Sequence, residues 1–249
     1  MNIRIISLFP KMIEDVLQYG VLGRAKKNHL LSFKYINPRD FSKDTHRTID
    51  DRPYGGGPGM VMKYEPLSLA IKSAKEGLSD TCPVICLGPQ GKLFDQEAAK
   101  RFSRLPGFIL ISGRYEGIDE RIIESFVDEE LSIGDFVLSG GEIPVLAVID
   151  AVVRLIPGVL GDESSAKHDS FMSGIFDTPH YTRPKEIDGQ SVPEVLLSGD
   201  HERIIKWRAE QAIGRTYLRR PDLIKKLNLN EEQKTMIEEY LKNHLLYDQ

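Results

Sequence analysis

The chain has 249 residues, of which 41% are hydrophobic and 28% charged, with a formal net charge of −4. Those proportions are typical of a folded globular protein and exclude a disordered chain or a uniformly cationic coat, although a local basic surface for nucleic acid remains compatible with them. The length suits one large domain with a smaller appendage and is enough to bury a sizeable core.

In chain order, Ile3 to Phe9 reads as a short strand that is apolar on both faces. Pro10 opens a helix whose Met12, Ile13, Val16 and Leu17 form one stripe, with Gly20 as its stop. Leu31 to Ile36 is a second strand. Residues 37–63 have little periodicity and hold the densest glycine cluster, Tyr54-Gly-Gly-Gly-Pro-Gly-Met60. Leu67, Ala70, Ile71 and Ala74 mark a helix. Val84 to Leu87 and Phe108 to Ser112 are compact apolar strands on either side of a helical stretch from Asp95 to Arg104. Ile118, Ile122, Ile123 and Phe126 share one side of the next helix, and another runs from Pro144 to Pro157. Strands alternating with helices predict an α/β layer fold with a largely parallel, buried sheet. Residues 161–191 turn polar and aperiodic and read as a linker. From Val192 the pattern is helical, broken by Pro221 and the Asn228–Asn230 region into at least three helices.

The cysteines are Cys82 and Cys86, four positions apart in and beside an apolar run. That spacing makes neither a zinc site nor a disulfide framework, so both are expected to be buried hydrophobes. The N-terminus lacks the pattern of a signal peptide, and the longest apolar run, Ile143 to Ile156, is too short to span a bilayer and carries Asp150 and Arg154. A cytoplasmic protein without membrane association is expected.

Four constellations could carry chemistry. The richest is a pair of glycine-punctuated loops, Gly113-Arg-Tyr-Glu-Gly-Ile-Asp-Glu-Arg121 and Ser132-Ile-Gly-Asp-Phe-Val-Leu-Ser-Gly-Gly-Glu-Ile-Pro144. Each follows a short apolar run, and glycines here let a ligand approach bare backbone. Neither is a phosphate cradle of known type, because no G-x-G-x-x-G or G-x-x-x-x-G-K-[ST] is present. Glu116 and Asp119 sit where the next helix is expected to start, suited to capping, to a cationic ligand or to Mg²⁺. Asp150 and Arg154 share a helix face, fitting either a structural ion pair or stabilisation of a developing oxyanion. Between His201 and Lys226 eight Lys/Arg oppose three acids, with Trp207 and Tyr217 interleaved. That composition fits a phosphate-binding surface or a merely solvated helix face. By spacing alone, Asp169 in the linker has no assigned role. The residue-level reading stops at an α/β ligand-binding domain with a basic helical appendage.

A resemblance goes further. Ser7-Leu-Phe-Pro10, Asn37-Pro-Arg-Asp-Phe41, Asp50-Asp-Arg-Pro-Tyr-Gly-Gly-Gly-Pro-Gly-Met60, the two glycine loops, Ile156-Pro-Gly-Val-Leu-Gly161, Pro179-His-Tyr-Thr-Arg-Pro184 and Leu218-Arg-Arg-Pro-Asp-Leu223 closely resemble the bacterial tRNA (guanine-N1)-methyltransferase family of the SPOUT superfamily. The blocks run from the first strand to the last fifth of the chain. The resemblance implies a parallel-sheet SPOUT domain with a C-terminal trefoil knot over residues 1–160, a flexible linker over 161–191 and a small all-helical tRNA-binding domain over 192–249. It further implies a homodimer with active sites at the subunit interface. The implied reaction moves a methyl group from S-adenosylmethionine to N1 of guanosine 37 of tRNAs with G at positions 36 and 37, supporting reading-frame maintenance.

By the same resemblance, Leu87, Pro89, Gly113, Ile133, Gly134, Asp135, Phe136, Val137, Leu138, Gly140 and Gly141 would bind the cofactor. Asp169 would be the general base, Arg154 would stabilise charge on O6, and Glu116 would handle the base and hold Mg²⁺. Asp50, Arg52 and Gly59, with Arg208, Arg215, Arg219 and Arg220, would face tRNA. Two alternatives are a tRNA-binding module without turnover, disfavoured by the presence of Arg154, Asp169 and both loops, and a SPOUT enzyme for another RNA position, disfavoured by the Asp50-to-Met60 block.

Overall fold

The computed structural model describes residues 1–161, 166 and 169–245, with 244 and 245 described by backbone only. It divides into two compact units, Met1–Glu163 and Ser164–Gln249. Among the described residues no helix is long and apolar enough to cross a membrane.

The first unit is a mixed α/β fold. Its elements are β1 (Asn2–Ile6), α1 (Pro10–Val16), α2 (Gly20–Lys27), β2 (Ser32–Ile36), a 3-10 turn at Pro38–Phe41, β3 (Asp50–Asp51), β4 (Val61–Met62), α3 (Tyr64–Lys75), β5 (Val84–Leu93), α4 (Gln96–Ser103), β6 (Gly107–Ser112), α5 (Glu120–Phe126), β7 (Glu129–Ser132) and α6 (Glu142–Val153). Five strands make one sheet in the order β2-β1-β6-β5-β7, every pair parallel. The short β3 and β4 pair antiparallel as a separate ribbon.

Side chains alternate across a strand, so both faces of this sheet must find apolar cover. On one face Ile3, Ile5, Ile85, Leu87, Phe108 and Leu110 pack with residues of α1, α2, α4 and α6. On the other, Ile6, Val84, Cys86, Ile109 and Ile111 pack with residues of α3 and α5. Cys82 and Cys86 are free and buried, as expected.

Three local features depart from the periodicity. Ile13 and Leu17 are fully buried, but Met12 and Val16 are 42% and 47% exposed, so the expected stripe is split. Gly20 does not end the chain's helical run; at φ +60 it redirects the backbone into α2. The strand β7 arises from an acidic segment, where β5 supplies its ladder and Arg101 grips Glu129 at 2.8 Å.

The second unit contains a hairpin of β8 (Glu186–Ile187) and β9 (Gln190–Ser191), then α7 (Glu194–Leu197), α8 (His201–Arg219), α9 (Pro221–Ile224) and α10 (Glu231–Leu245). Its core gathers Ile213, Ile224, Met236 and Ile237, with Ile175 packed against them. Asp200 caps α8 by accepting the Arg203 N–H at 3.1 Å. At the start of α10, Asn230 accepts the Gln233 N–H at 2.8 Å and donates its own to Gln233 Oε1 at 3.0 Å, a reciprocal cap. The Phe176 N–H donates to Thr216 Oγ1 at 2.9 Å, tying the segment before the hairpin to α8.

Candidate active site

Parallel sheets bind ligands beyond the carboxyl ends of their strands. Here the ends of β5, β6 and β7 open on a cavity of about 450 Å³, within the roughly 300–1,000 Å³ span of small-molecule sites. A β-bulge makes the room. The pairing of β5 with β7 shifts between Leu87 and Lys92, so Gly88-Pro89-Gln90-Gly91 leaves the ladder and Pro89 faces the opening without an N–H.

The far wall is the segment between β7 and α6. It passes over the end of β6 so closely that the Gly141 N–H donates to the Gly113 carbonyl at 2.9 Å. A Cβ on Gly141 would stand 2.8 Å from Ser112 Cα, against backbone that cannot yield. Of the residues singled out in the sequence, Leu87, Pro89, Gly113, Ile133, Gly134, Phe136–Leu138, Gly140 and Gly141 all line this cavity, whereas Asp135 does not. Glu116, Glu120 and Glu130 give it an acidic rim, a complement for a cationic ligand. Cys86 lies in the floor. Burial, reinforced by Glu130 and Glu120, pushes its thiol up to about 12, so it is a neutral packing group.

Glu116 is held by its main chain. Tyr115 has φ +62, and the Glu116 N–H donates to Met60 O at 3.0 Å while the Met62 N–H donates to Gly117 O at 3.0 Å. These bonds dock the 53–62 glycine loop on the 113–119 loop. Asp50 pairs with Met62 in the β3–β4 ribbon, and Gly59, at φ +82, lies against the Glu116 carboxyl. The structure therefore brings Asp50, Gly59 and Glu116 together, with Arg52 exposed nearby along the chain. Asp119 caps α5, accepting the Arg121 N–H at 3.1 Å, and the Arg121 guanidinium holds its carboxyl below the usual range.

Residues 1–226 match the family model for tRNA (guanine-1)-methyltransferase TrmD. The chain belongs to that family. The tRNA (guanine-N(1)-)-methyltransferase of Pseudoalteromonas translucida (strain TAC 125) is 56% identical over 236 residues, covering 95% of this chain and 92% of its own. That of Idiomarina loihiensis is 56% identical over 97% of this chain and 96% of its own. That of Photorhabdus laumondii is 54% identical over 98% of both.

The remaining site residues of this TrmD-family chain lie away from the cavity or in the second unit. Pro144, near the start of α6, lines the cavity, but Arg154 caps the opposite end of that 12-residue helix, roughly 15 Å along the axis at 1.5 Å per residue. Arg154 is thus not brought to the cavity of its own first unit. Asp169 belongs to the second unit, where its carbonyl accepts the Met172 N–H at 3.2 Å; its neighbour His168 lies outside the described residues. Arg208, Arg219 and Arg220 are exposed and Arg215 half-buried on α8 and its C-cap. Arg220 is clasped by Asp222 at 2.7 Å. Sequence reading missed Ser7 and Glu142, whose side chains meet across 135 positions; no periodicity reports such a pair.

Proposed function

We propose that this chain transfers a methyl group from S-adenosylmethionine to N1 of guanine 37 in tRNAs with G at positions 36 and 37. The observation that carries the reading is the glycine-walled, acid-rimmed cavity at the ends of β5–β7 in a TrmD-family chain. Its bare amides and carbonyls suit the donor's polar edges, its apolar floor suits a purine ring, and its carboxylates suit a sulfonium. When bound, the donor supplies an electrophilic methyl group.

The chain's own residues do the rest. Guanine N1 carries a proton at neutral pH that must leave as the nitrogen attacks, and Asp169 accepts it as general base. Loss of that proton moves negative charge onto O6, which the Arg154 guanidinium stabilises. Glu116 orients the extruded base, whose unstacking costs a few kcal/mol that protein contacts offset. Were Mg²⁺ to take part, the Glu116 carboxylate would be the residue to hold it, and the ion would supply charge stabilisation at substrate oxygens.

The working form is a homodimer in the cytoplasm. Two features support the dimer: Arg154 stands far along α6 from its own cavity, and Met12, Val16, Tyr19 and Ile143 leave apolar surface exposed. A trefoil knot forms where the segment before α6 passes the end of β6; the closeness of Gly141 to Ser112 supports it. Residues 1–160 act as the catalytic SPOUT domain, 161–191 as a linker and 192–249 as the tRNA-binding domain. Asp50, Arg52 and Gly59 face tRNA near the target base, and Arg208, Arg215, Arg219 and Arg220 neutralise phosphates.

The test is transfer of a radiolabelled methyl group to a transcript bearing G36 and G37, followed by mapping of the modified nucleotide. Label is expected at N1 of G37 and is lost when G37 is replaced. Equal incorporation into the substituted transcript refutes the reading.

A further inference from the structure

The Glu142 carboxylate is 1% exposed at the first position of α6 and carries two bonds that the reaction above does not use. Ser7 Oγ, just after β1, donates to its Oε1 at 2.8 Å. Arg114 Nε, just after β6, donates to its Oε2 at 2.9 Å. The same guanidinium donates through Nη1 to the Ser139 carbonyl at 3.0 Å and lies 4.6 Å from the Phe9 ring centroid. The Phe9 N–H in turn donates to Ser7 Oγ at 3.0 Å. The backbones of Arg114 and Gly140 form an antiparallel bridge, and a Cβ on Gly140 would collide with the Arg114 side chain, 2.7 Å from Cζ.

We propose that Glu142 is a positioning residue, which through Arg114 holds the 138–141 wall of the cavity closed over the end of β6. An apolar residue could seat the helix start without the cost of desolvating a charge. What the carboxylate adds is orientation: it fixes one edge of the guanidinium so that another edge grips Ser139. A first-turn acid also favours the helix dipole, and aspartate separates the two effects, because it keeps the charge but is one methylene too short to reach Arg114.

The inference rests on the cavity being the donor site, and the experiment keeps the two separable. Glu142→Gln, Glu142→Asp and Arg114→Lys are compared with the parent chain for S-adenosylmethionine affinity by calorimetry, for amide hydrogen exchange without donor, and for single-turnover rate at saturating donor. All three variants are expected to raise the donor Kd about tenfold, as for a wall ordered one-tenth of the time. Exchange should quicken across residues 133–141 and stay slow in Val84–Leu87 and Phe108–Ile111, and the saturated rate should change little. Unaltered exchange at 133–141, protection lost throughout the sheet, a rate loss at constant Kd, or failure of all three variants to fold each overturns the proposal. A Glu142→Asp variant that behaves as the parent does so as well, leaving the dipole as the explanation. Should the parent chain fail to bind the donor, the proposed function falls, while the exchange pattern still decides the role of Glu142.

Discussion

Gly59→Ala should damage chemistry far more than stability. Gly59 has φ +82, and an L-residue there costs about 1–2 kcal/mol. For a chain of this size that lowers Tm by about 2–8 °C. The added Cβ would stand 2.7 Å from Glu116 Cδ, whereas carbons rest about 3.5–4.0 Å apart. The Glu116 backbone is pinned to Met60 and bends through a positive φ at Tyr115, so the carboxyl has to swing away by about an ångström. Misplacement on that scale costs about 100-fold in rate, equivalent to about 2.7 kcal/mol of transition-state stabilisation. Gly55 shares φ +82 but has nothing within 4 Å of its Cβ position, so Gly55→Ala carries the backbone strain without the collision. Single-turnover methylation at saturating donor and tRNA should therefore separate the two variants by about two orders of magnitude. Equal losses in both would assign the effect to loop strain and remove Gly59 from any part in setting Glu116.

Asp169→Ala should abolish turnover while leaving donor affinity within about twofold, since a general base acts in the transition state; a substantial residual rate would take that role from Asp169. Reversing Arg219 and Arg220 to Glu should weaken tRNA binding and flatten the dependence of log K on log salt by about one unit for each phosphate no longer neutralised; unchanged affinity would put the docking surface elsewhere. The Cys86 thiol, raised by burial to about 12 from an ordinary 9.0, contributes stability that is complete below about pH 9 and lost as the pH climbs toward 12. Cys86→Ala should accordingly show a shallower alkaline fall in unfolding free energy than the parent chain, and parallel curves would show that the thiol ionises freely in the folded state.

Much of the first unit was legible in one dimension. Val84–Leu87 and Phe108–Ser112 are apolar at every inward and outward position up to their last residue, which only a strand covered on both faces tolerates, so the buried parallel sheet followed from sequence. Pro221 and Asn230 marked helix boundaries because a missing N–H and a side-chain cap act locally. The resemblance of the glycine blocks led to the family, and the cavity is lined by the positions it named for the cofactor, Asp135 excepted, but not by Arg154 or Asp169.

Other features needed the third dimension. Glu129 and Glu130 carry no strand signal of their own, yet they form β7 because β5 offers it a ladder and Arg101 pairs with Glu129. Met12 and Val16 read as core with Ile13 and Leu17, yet they are 42% and 47% exposed because α1 turns only its Ile13–Leu17 side to the sheet. Glu142 read as one more glutamate in a glycine loop, and its burial depends on Ser7 and Arg114 arriving from 135 and 28 positions away. Periodicity records which side chains avoid water along a single element. Which carboxylate loses its water, and which glycine must yield to a neighbour, depends on the path by which the chain returns over its own strands, and that path is set only when the whole sheet has assembled.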